Sequence, residues 1–179
     1  MKLINKLQDT FYEFKGITHT REISRCVILN NENKVAILKI YSKDSFGTRD
    51  CYELPGGGVK EGETFEEAAI REAEEETGCV VEVIAPIANV IDYYNLIQRE
   101  NHNHYFLCRV LDQKQKKLEE YEKSLIQSVD FVSIEEAISH FTNDMKGEVG
   151  ALVKQRELPI LELAKEMIKI DQIIVLCGP

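Results

Sequence analysis

The chain of 179 residues is short of basic charge: 22 Lys and Arg stand against 31 Asp and Glu, a net charge of −9. That balance argues against DNA, long RNA or an anionic membrane surface as partner, since each draws a cationic face. Paired cysteines are missing too. Cys26, Cys51, Cys79, Cys108 and Cys177 are odd in number and form no C-x-x-C, which excludes a disulfide framework and a cysteine-built zinc site. Cys26 and Cys108 lie in apolar runs and are expected as buried packing residues. No apolar stretch approaches the ~20 residues of a membrane helix. Residues 1–9 hold no apolar run of signal-peptide length, so a cytoplasmic location is the expectation. Internal repeats and low-complexity linkers are absent as well.

What is there fits a globular domain. A hydrophobic fraction of 44% suffices for a core, and 30% charged residues is ordinary for a soluble protein. Residues 22–29 and 34–41 are β-branched and apolar and flank Asn30-Asn31-Glu32-Asn33, which predicts a strand hairpin. Residues 42–50 read as a polar loop, 79–84 and 88–94 as strands, 97–103 as a polar turn, 104–111 as a strand, 112–123 as a charged loop, and 127–132 as a short strand. Ser133-Ile134-Glu135-Glu136 is a capping box that opens a helix running to about Phe141. A break over 143–150 precedes a helix over 151–168, which Pro159 should kink or split. Residues 173–176 form an apolar tail that could add an edge strand. Strands, a helix, strands and helices in this order predict an α/β fold, a mixed sheet covered by helices on both faces. Residues 1–179 are expected to form one domain, with 1–20 and 145–179 as extensions packed on it.

Negative charge is concentrated in one place. Residues 61–76 contain eight Glu and one Arg, nearly all of the net charge. Thr64-Phe65-Glu66-Glu67 is a capping box, so a helix should start at Phe65. Gly78 suits the left-handed position past a helix end, so that helix should stop near Glu76 or Thr77. Glu72, Glu75 and Glu76, at i, i+3 and i+4, share one helix face with Phe65, Ala68 and Ala69. Their mutual repulsion would be relieved by a cation, and hard oxygen ligands select Mg2+ or Mn2+ over zinc. A polyphosphate could approach such a helix only with cations bridging the two anions. Glu63 and Arg71 flank the first helical turns and suit an ion pair that ties loop to helix and orients Glu72. Glu53-Leu54-Pro55-Gly56-Gly57-Gly58 leads in, but no Lys-Ser/Thr pair follows the glycines, so a P-loop reading fails.

Gly57, Glu63, Arg71, Glu72, Glu75, Glu76 and Gly78 stand at the fixed positions of G-x5-E-x7-R-E-U-x-E-E-x-G-U, and the stretch resembles the Nudix box. Ala73 and Cys79 fill the two bulky-aliphatic positions with smaller apolar residues. The resemblance implies a Nudix-type α/β/α sandwich with its layout over about residues 22–141. It implies divalent metal and cleavage of a nucleoside diphosphate linked to another group. The Gly56 carbonyl would join Glu72, Glu75 and Glu76 as metal donors, with Gly57, Glu63, Arg71 and Gly78 in support. It also implies a further Glu from a loop after the central strands, as ligand or general base. Glu119, Glu120 and Glu122 lie in that loop. Glu122 is preferred because Tyr121 could anchor it, and Glu75 is the other candidate base.

Outside the box the signals are weaker. His102 and His104 would face one side of an extended segment, as a surface turn or as ligands to metal or phosphate. Tyr93 and Tyr94 read as core residues, although one could stack on a base. Arg21, Arg25, Lys39 and Arg99 could hold phosphate oxygens, or be ordinary surface cations. The expectation is a metal-dependent pyrophosphohydrolase of a small nucleotide-type substrate. Oxidised nucleoside triphosphates, nucleoside diphosphate sugars, ADP-ribose, dinucleoside polyphosphates and capped RNA ends all remain open. The alternatives are a catalytically silent ligand-sensing or partner-binding module, and a structural protein whose acidic helix faces a basic partner. Oligomeric state is open, a homodimer included.

Overall fold

The computed structural model describes residues 2–176, with side-chain surroundings for residues 2–170. Its elements are β1 (Leu3–Leu7), β2 (His19–Leu29), β3 (Val35–Asp44), β4 (Gly47–Glu53), β5 (Gly56–Gly58), α1 (Phe65–Thr77), β6 (Cys79–Tyr94), β7 (Arg99–Gln113), α2 (Glu120–Leu125), β8 (Ile126–Val132), α3 (Ile134–Asn143) and α4 (Gly147–Leu176). The strands form one sheet in the order β1-β6-β7-β2-β3-β4, with β5 paired to β2 and β8 to β3. The sheet is mixed. β1 lies parallel to β6 and β2 parallel to β7, while β6 and β7, β2 and β3, and β3 and β4 run antiparallel.

Period-two alternation within uninterrupted apolar runs explains why the sheet is covered on both faces. On β2, Cys26 and Ile28 join Phe106 and Cys108 of β7 against Ala69 and Ala73 of α1. Val27 and Leu29 alternate with them and join Tyr105 and Leu107 on the opposite face. There they meet Ala137 and Phe141 of α3 and Ile160, Leu161 and Ala164 of α4. The small buried residues of α1 let the helix sit close enough for the Cys26 thiol to reach the Ala69 carbonyl at 3.2 Å. The result is the α/β/α layering with a mixed sheet expected from the order of elements. The first helix begins and ends where its caps demand: Thr64 and Glu67 form the reciprocal capping box, and Gly78 takes φ 77°.

Several segments differ from expectation, each for a local reason. Residues 42–50 form the turn and arms of a hairpin. The Asp44 carboxylate accepts the Phe46 amide at 2.8 Å and Gly47 closes the turn at φ 87°. Because β4 ends the strand order, its polar alternation resembled a loop. Residues 79–94 form one long strand, interrupted by register shifts at 80/81, 83/85 and 86/88; Pro86, which lacks an N–H, sits at one of them. Residues 99–103, expected as a turn, open β7, and the polar Asn101 and Asn103 point into the interior. The charged stretch 112–123 holds the end of β7 and the start of α2. Pro159 neither splits nor ends α4. One proline costs about 3 kcal/mol in a helix interior, whereas each buried aliphatic such as Val153, Ile160 or Leu161 contributes about 1.5–3 kcal/mol. Residues 173–176 continue that helix and form no strand. Cys26, Cys51, Cys79 and Cys108 are buried free thiols, and Cys177 lies outside the described residues. None of the described helices is long and apolar enough to cross a membrane.

The close seat of α1 yields a prediction. Ala69→Leu would force side-chain volume into the contact with Cys26 and lower unfolding stability by about 1–3 kcal/mol, read as a lower urea midpoint at unchanged slope.

Candidate functional site

One guanidinium organises the acidic end of the molecule. Arg71 Nε donates to Glu63 at 2.6 Å, Nη1 to Glu72 at 2.6 Å and to Glu75 at 2.9 Å, and Nη2 to the Gly58 carbonyl and to Glu63, each at 2.9 Å. The loop-to-helix tie expected of Glu63 and Arg71 is therefore present, and it also holds the strip β5. The guanidinium beside Glu63 pulls that carboxyl down to about 2. Gly57 allows a close approach: a Cβ there would lie 2.6 Å from Glu72 Oε1 and would displace that carboxylate.

The three helix carboxylates part company. Glu72 and Glu76 turn inward, 6% and 7% exposed. Glu76 accepts the Gly56 amide at 2.7 Å. Glu75 faces outward, bonded to Arg71 and 3.7 Å from Lys60. The third member of the inner group is Glu122 from α2, and ligand oxygens of Glu72, Glu76 and Glu122 lie within 4.8 Å of one another. Glu122 also accepts the Glu119 amide at 2.8 Å, which caps α2. Burial pushes the Glu72 carboxyl up against the pull of Arg71, and Glu75 and Glu122 add to the rise. Burial likewise holds Glu76 well above the ordinary carboxylate range, with Glu72 and Glu122 contributing. Three close carboxylates, two of them buried, fit a hard divalent cation, whose charge would reverse each of these penalties.

Beside the acidic group opens a cleft of about 430 Å³. Its walls carry Glu76, Glu119 and Glu122 at the acidic end, and the arginines Arg21, Arg25, Arg49, Arg99 and Arg156. Three of these arginines are ion-paired, Arg49 with Asp44 at 2.8 Å and Arg25 and Arg156 with Glu53 and Glu157. Arg25 donates to the Leu54 carbonyl at 3.1 Å and Arg156 to Glu157 at 2.7 Å, with Asp92 at 3.2 Å. Glu157, fully buried, in turn accepts the Leu54 amide at 2.7 Å. Arg21 and Arg99 have no carboxylate partner among the described residues.

Of the cations considered from sequence, Arg21, Arg25 and Arg99 reach the cleft. Lys39 does not; it is paired with Asp50 at 2.7 Å. Arg49, Asn101, Arg156 and Glu157 escaped notice. Asn101 gave no signal, since residues 99–103 (Arg-Glu-Asn-His-Asn) are polar throughout and show no strand alternation. Arg156-Glu157, adjacent opposite charges within an apolar helix stripe, was an overlooked signal. His102 and His104 do share one side: both bond to Glu22, at 2.9 and 2.8 Å, and His104 stacks on Phe65 at 3.6 Å. Neither lines the cleft. Tyr93 and Tyr94 are buried, and Tyr94 forms part of the cleft wall.

The NUDIX domain family model matches residues 20–152. Among curated proteins, an ADP-ribose pyrophosphatase of Methanocaldococcus jannaschii is 35% identical over 77 residues, covering 43% of this chain and 41% of that protein. An RNA pyrophosphohydrolase of Wolbachia pipientis is 38% identical over 84 residues, covering 45% of this chain and 48% of that protein. The matched segment thus spans less than half the length of either relative. A solved NUDIX hydrolase from Nitrosomonas europaea superposes with a TM-score of 0.63 at 19% identity, over 83% of this chain and 90% of that one. A MutT protein from Methanosarcina mazei Go1 gives 0.59 at 19% identity, over 86% and 98%. At that identity the likeness concerns the fold.

The buried acids predict a linked effect of pH and metal. Because the folded pKa values of Glu72 and Glu76 are raised, the folded chain keeps protons that the unfolded chain has released. Their contribution to metal-free stability is therefore greatest below the ordinary carboxylate range and falls as pH rises toward the folded values. Glu76→Gln should raise the melting temperature in EDTA at pH 8 by ~2–4 °C, the shift that about 1 kcal/mol gives in a domain of this size, and should remove the rise caused by Mg2+. A melting temperature that falls in EDTA, with the Mg2+ response intact, would contradict this reading.

Proposed function

The chain belongs to the NUDIX family, and from that premise we propose that it hydrolyses the pyrophosphate bond of a nucleoside diphosphate linked to another group, with Mg2+ or Mn2+ as cofactor. The observation that carries the reading is the juxtaposition of opposite charges: the carboxylate trio Glu72, Glu76 and Glu122 stands at one end of a recess lined by five arginines. An anionic diphosphate fits the arginine side, and a divalent cation fits the carboxylate side. When bound, the cation would neutralise charge on the phosphates and make water a better nucleophile.

In this reading Glu72 and Glu76 hold the metal, and Glu122, whose carboxylate lies within 4.8 Å of both, stands beside it as a base. The Gly56 carbonyl is a further donor suggested by the family resemblance. Arg71, Glu63, Gly57 and Gly78 position these groups and do no chemistry. Arg21, whose guanidinium lies over Gly58 and reaches both the cleft and the neighbouring acidic groove, is suited to phosphate oxygens at the scissile end. Of the two candidate bases, Glu122 is favoured. It lines the cleft itself, whereas Glu75 lies in the adjoining groove, bonded to Arg71. The relatives act on ADP-ribose and on RNA by their names, which supports a pyrophosphate bond as the target and leaves the attached group open. A small nucleotide-type substrate suits a cleft of about 430 Å³.

Turnover with Mg2+ of ADP-ribose, a UDP-sugar, a dinucleoside tetraphosphate, nucleoside triphosphates and a triphosphorylated RNA tests the proposal, with the product that carries the phosphate identified. Glu122→Gln should lower kcat by about 10²–10⁴-fold, as loss of a general base does, at nearly unchanged melting temperature. Glu75→Gln should have the smaller effect. Binding without Mg2+-dependent cleavage across the whole panel would favour the silent module instead.

A further inference from the structure

Asn101 on β7 is 1% exposed, and neither its Oδ1 nor its Nδ2 has a hydrogen-bond partner. It lines the cleft. Two positions along the same strand, and therefore on the same face, Asn103 offers a direct contrast. It is fully buried as well, yet its amide is saturated: Nδ2 donates to Asp92 at 2.8 Å and to the Val90 carbonyl at 3.2 Å, and Oδ1 accepts from Arg25 at 3.3 Å. The same side chain at the same depth is structural at 103 and unspent at 101. Leaving both a donor and an acceptor of a buried amide unmade is costly, and a ligand that makes both bonds would remove that cost.

The surroundings narrow the ligand. The parallel register sets Arg21 of β2 beside Asn101. Arg99, on the same face of β7, lies over the Tyr94 ring at 5.4 Å, and its Nε is also unpaired. Phosphate oxygens could occupy the arginines and Nδ2, but a phosphate diester offers nothing to Oδ1, which needs an N–H or O–H. A ribose diol supplies both kinds of group without a plane. Here the neighbours are a guanidinium and an aromatic ring 5.4 Å apart, both planar groups against which a flat ring can lie. A nucleobase edge presents an N–H beside a ring nitrogen or carbonyl in one plane, which matches an Asn amide in bidentate fashion.

We propose that Asn101 is the base-reading residue of this cleft: its amide pairs with a donor–acceptor edge of the substrate's nucleobase, and the Arg99 guanidinium supplies the surface on which the base lies. The inference rests on the proposed pyrophosphohydrolase reading and names the part of the substrate held away from the carboxylate trio. Arg21, in register with Asn101 and with its guanidinium over Gly58, then stands between the base and the phosphates.

Calorimetric titration of the full chain with AMP, GMP, CMP and UMP in EDTA reads the base without any turnover. The unmodified chain should prefer one base over the worst-matched by ~10–100-fold, the discrimination a bidentate amide contact provides. Asn101→Leu, similar in size but without donor or acceptor, should bring the four affinities to within about twofold of one another. Asn101→Asp keeps an acceptor and loses the donor, so it should change which base is preferred; it also carries the comparison if the leucine variant fails to fold. Retention of the original ranking in a folded variant overturns the proposal. So does a flat ranking, or no measurable binding, in the unmodified chain. Failure of the hydrolase reading looks different: no substrate is cleaved with Mg2+, while the titrations remain readable.

Discussion

Three carboxylates and a backbone carbonyl converge on the guanidinium of Arg71, and the acidic end of the molecule depends on that convergence. Glu63 comes from the loop, Gly58 from β5, and Glu72 and Glu75 from α1. Without a shared cation these groups would repel one another and the loop would have no fixed distance from the helix. The planar fork offers five donors in a fixed arrangement, against three rotating ones on a lysine. Its position places Glu72 against Gly57, where a side chain would displace the carboxylate, and leaves Glu76 to take the Gly56 amide. The carboxyl groups thus face inward at a cost in burial, and the metal-free site is held under electrostatic tension by its own scaffold.

The opposite wall depends on a second ionic cluster. Glu157 of α4 is completely buried, accepts the Leu54 amide and faces Arg156 and Arg25. Buried ion pairs often stabilise little beyond an apolar replacement, so their value here lies in position. They lock the segment before the glycines to the long helix and hold arginines at the edge of the cleft. An acidic protein thereby keeps arginines of the sheet and of α4 in one recess beside carboxylates carried by α1 and α2.

Much of the fold was legible because its determinants are local. The capping boxes at Thr64 and Ser133, the left-handed Gly78 and the apolar runs 22–29 and 104–111 all act through neighbours a few residues away. The segments misread were those where tertiary burial changed the meaning of polarity. Residues 42–50 looked like a loop because an edge strand shows little apolar alternation, and residues 99–103 looked like part of a turn because a strand lining a site carries polar side chains inward. Pro159 looked like a break because its cost is local, whereas the burial that outweighs it comes from the sheet.

The sequence by itself determined the acidic helix, its limits and its small-residue face, since helical periodicity and capping chemistry fix all of these within one short segment. Tertiary structure alone decided which carboxylates meet. Glu75, adjacent to Glu76 in the chain, turns toward Arg71, while Glu122 arrives from α2, which packs on β3 and β8. It alone brought Arg21, Arg99, Asn101 and Arg156 around one recess. Strand register and helix docking set those distances, and both arise from packing between residues far apart in sequence, which no local pattern encodes.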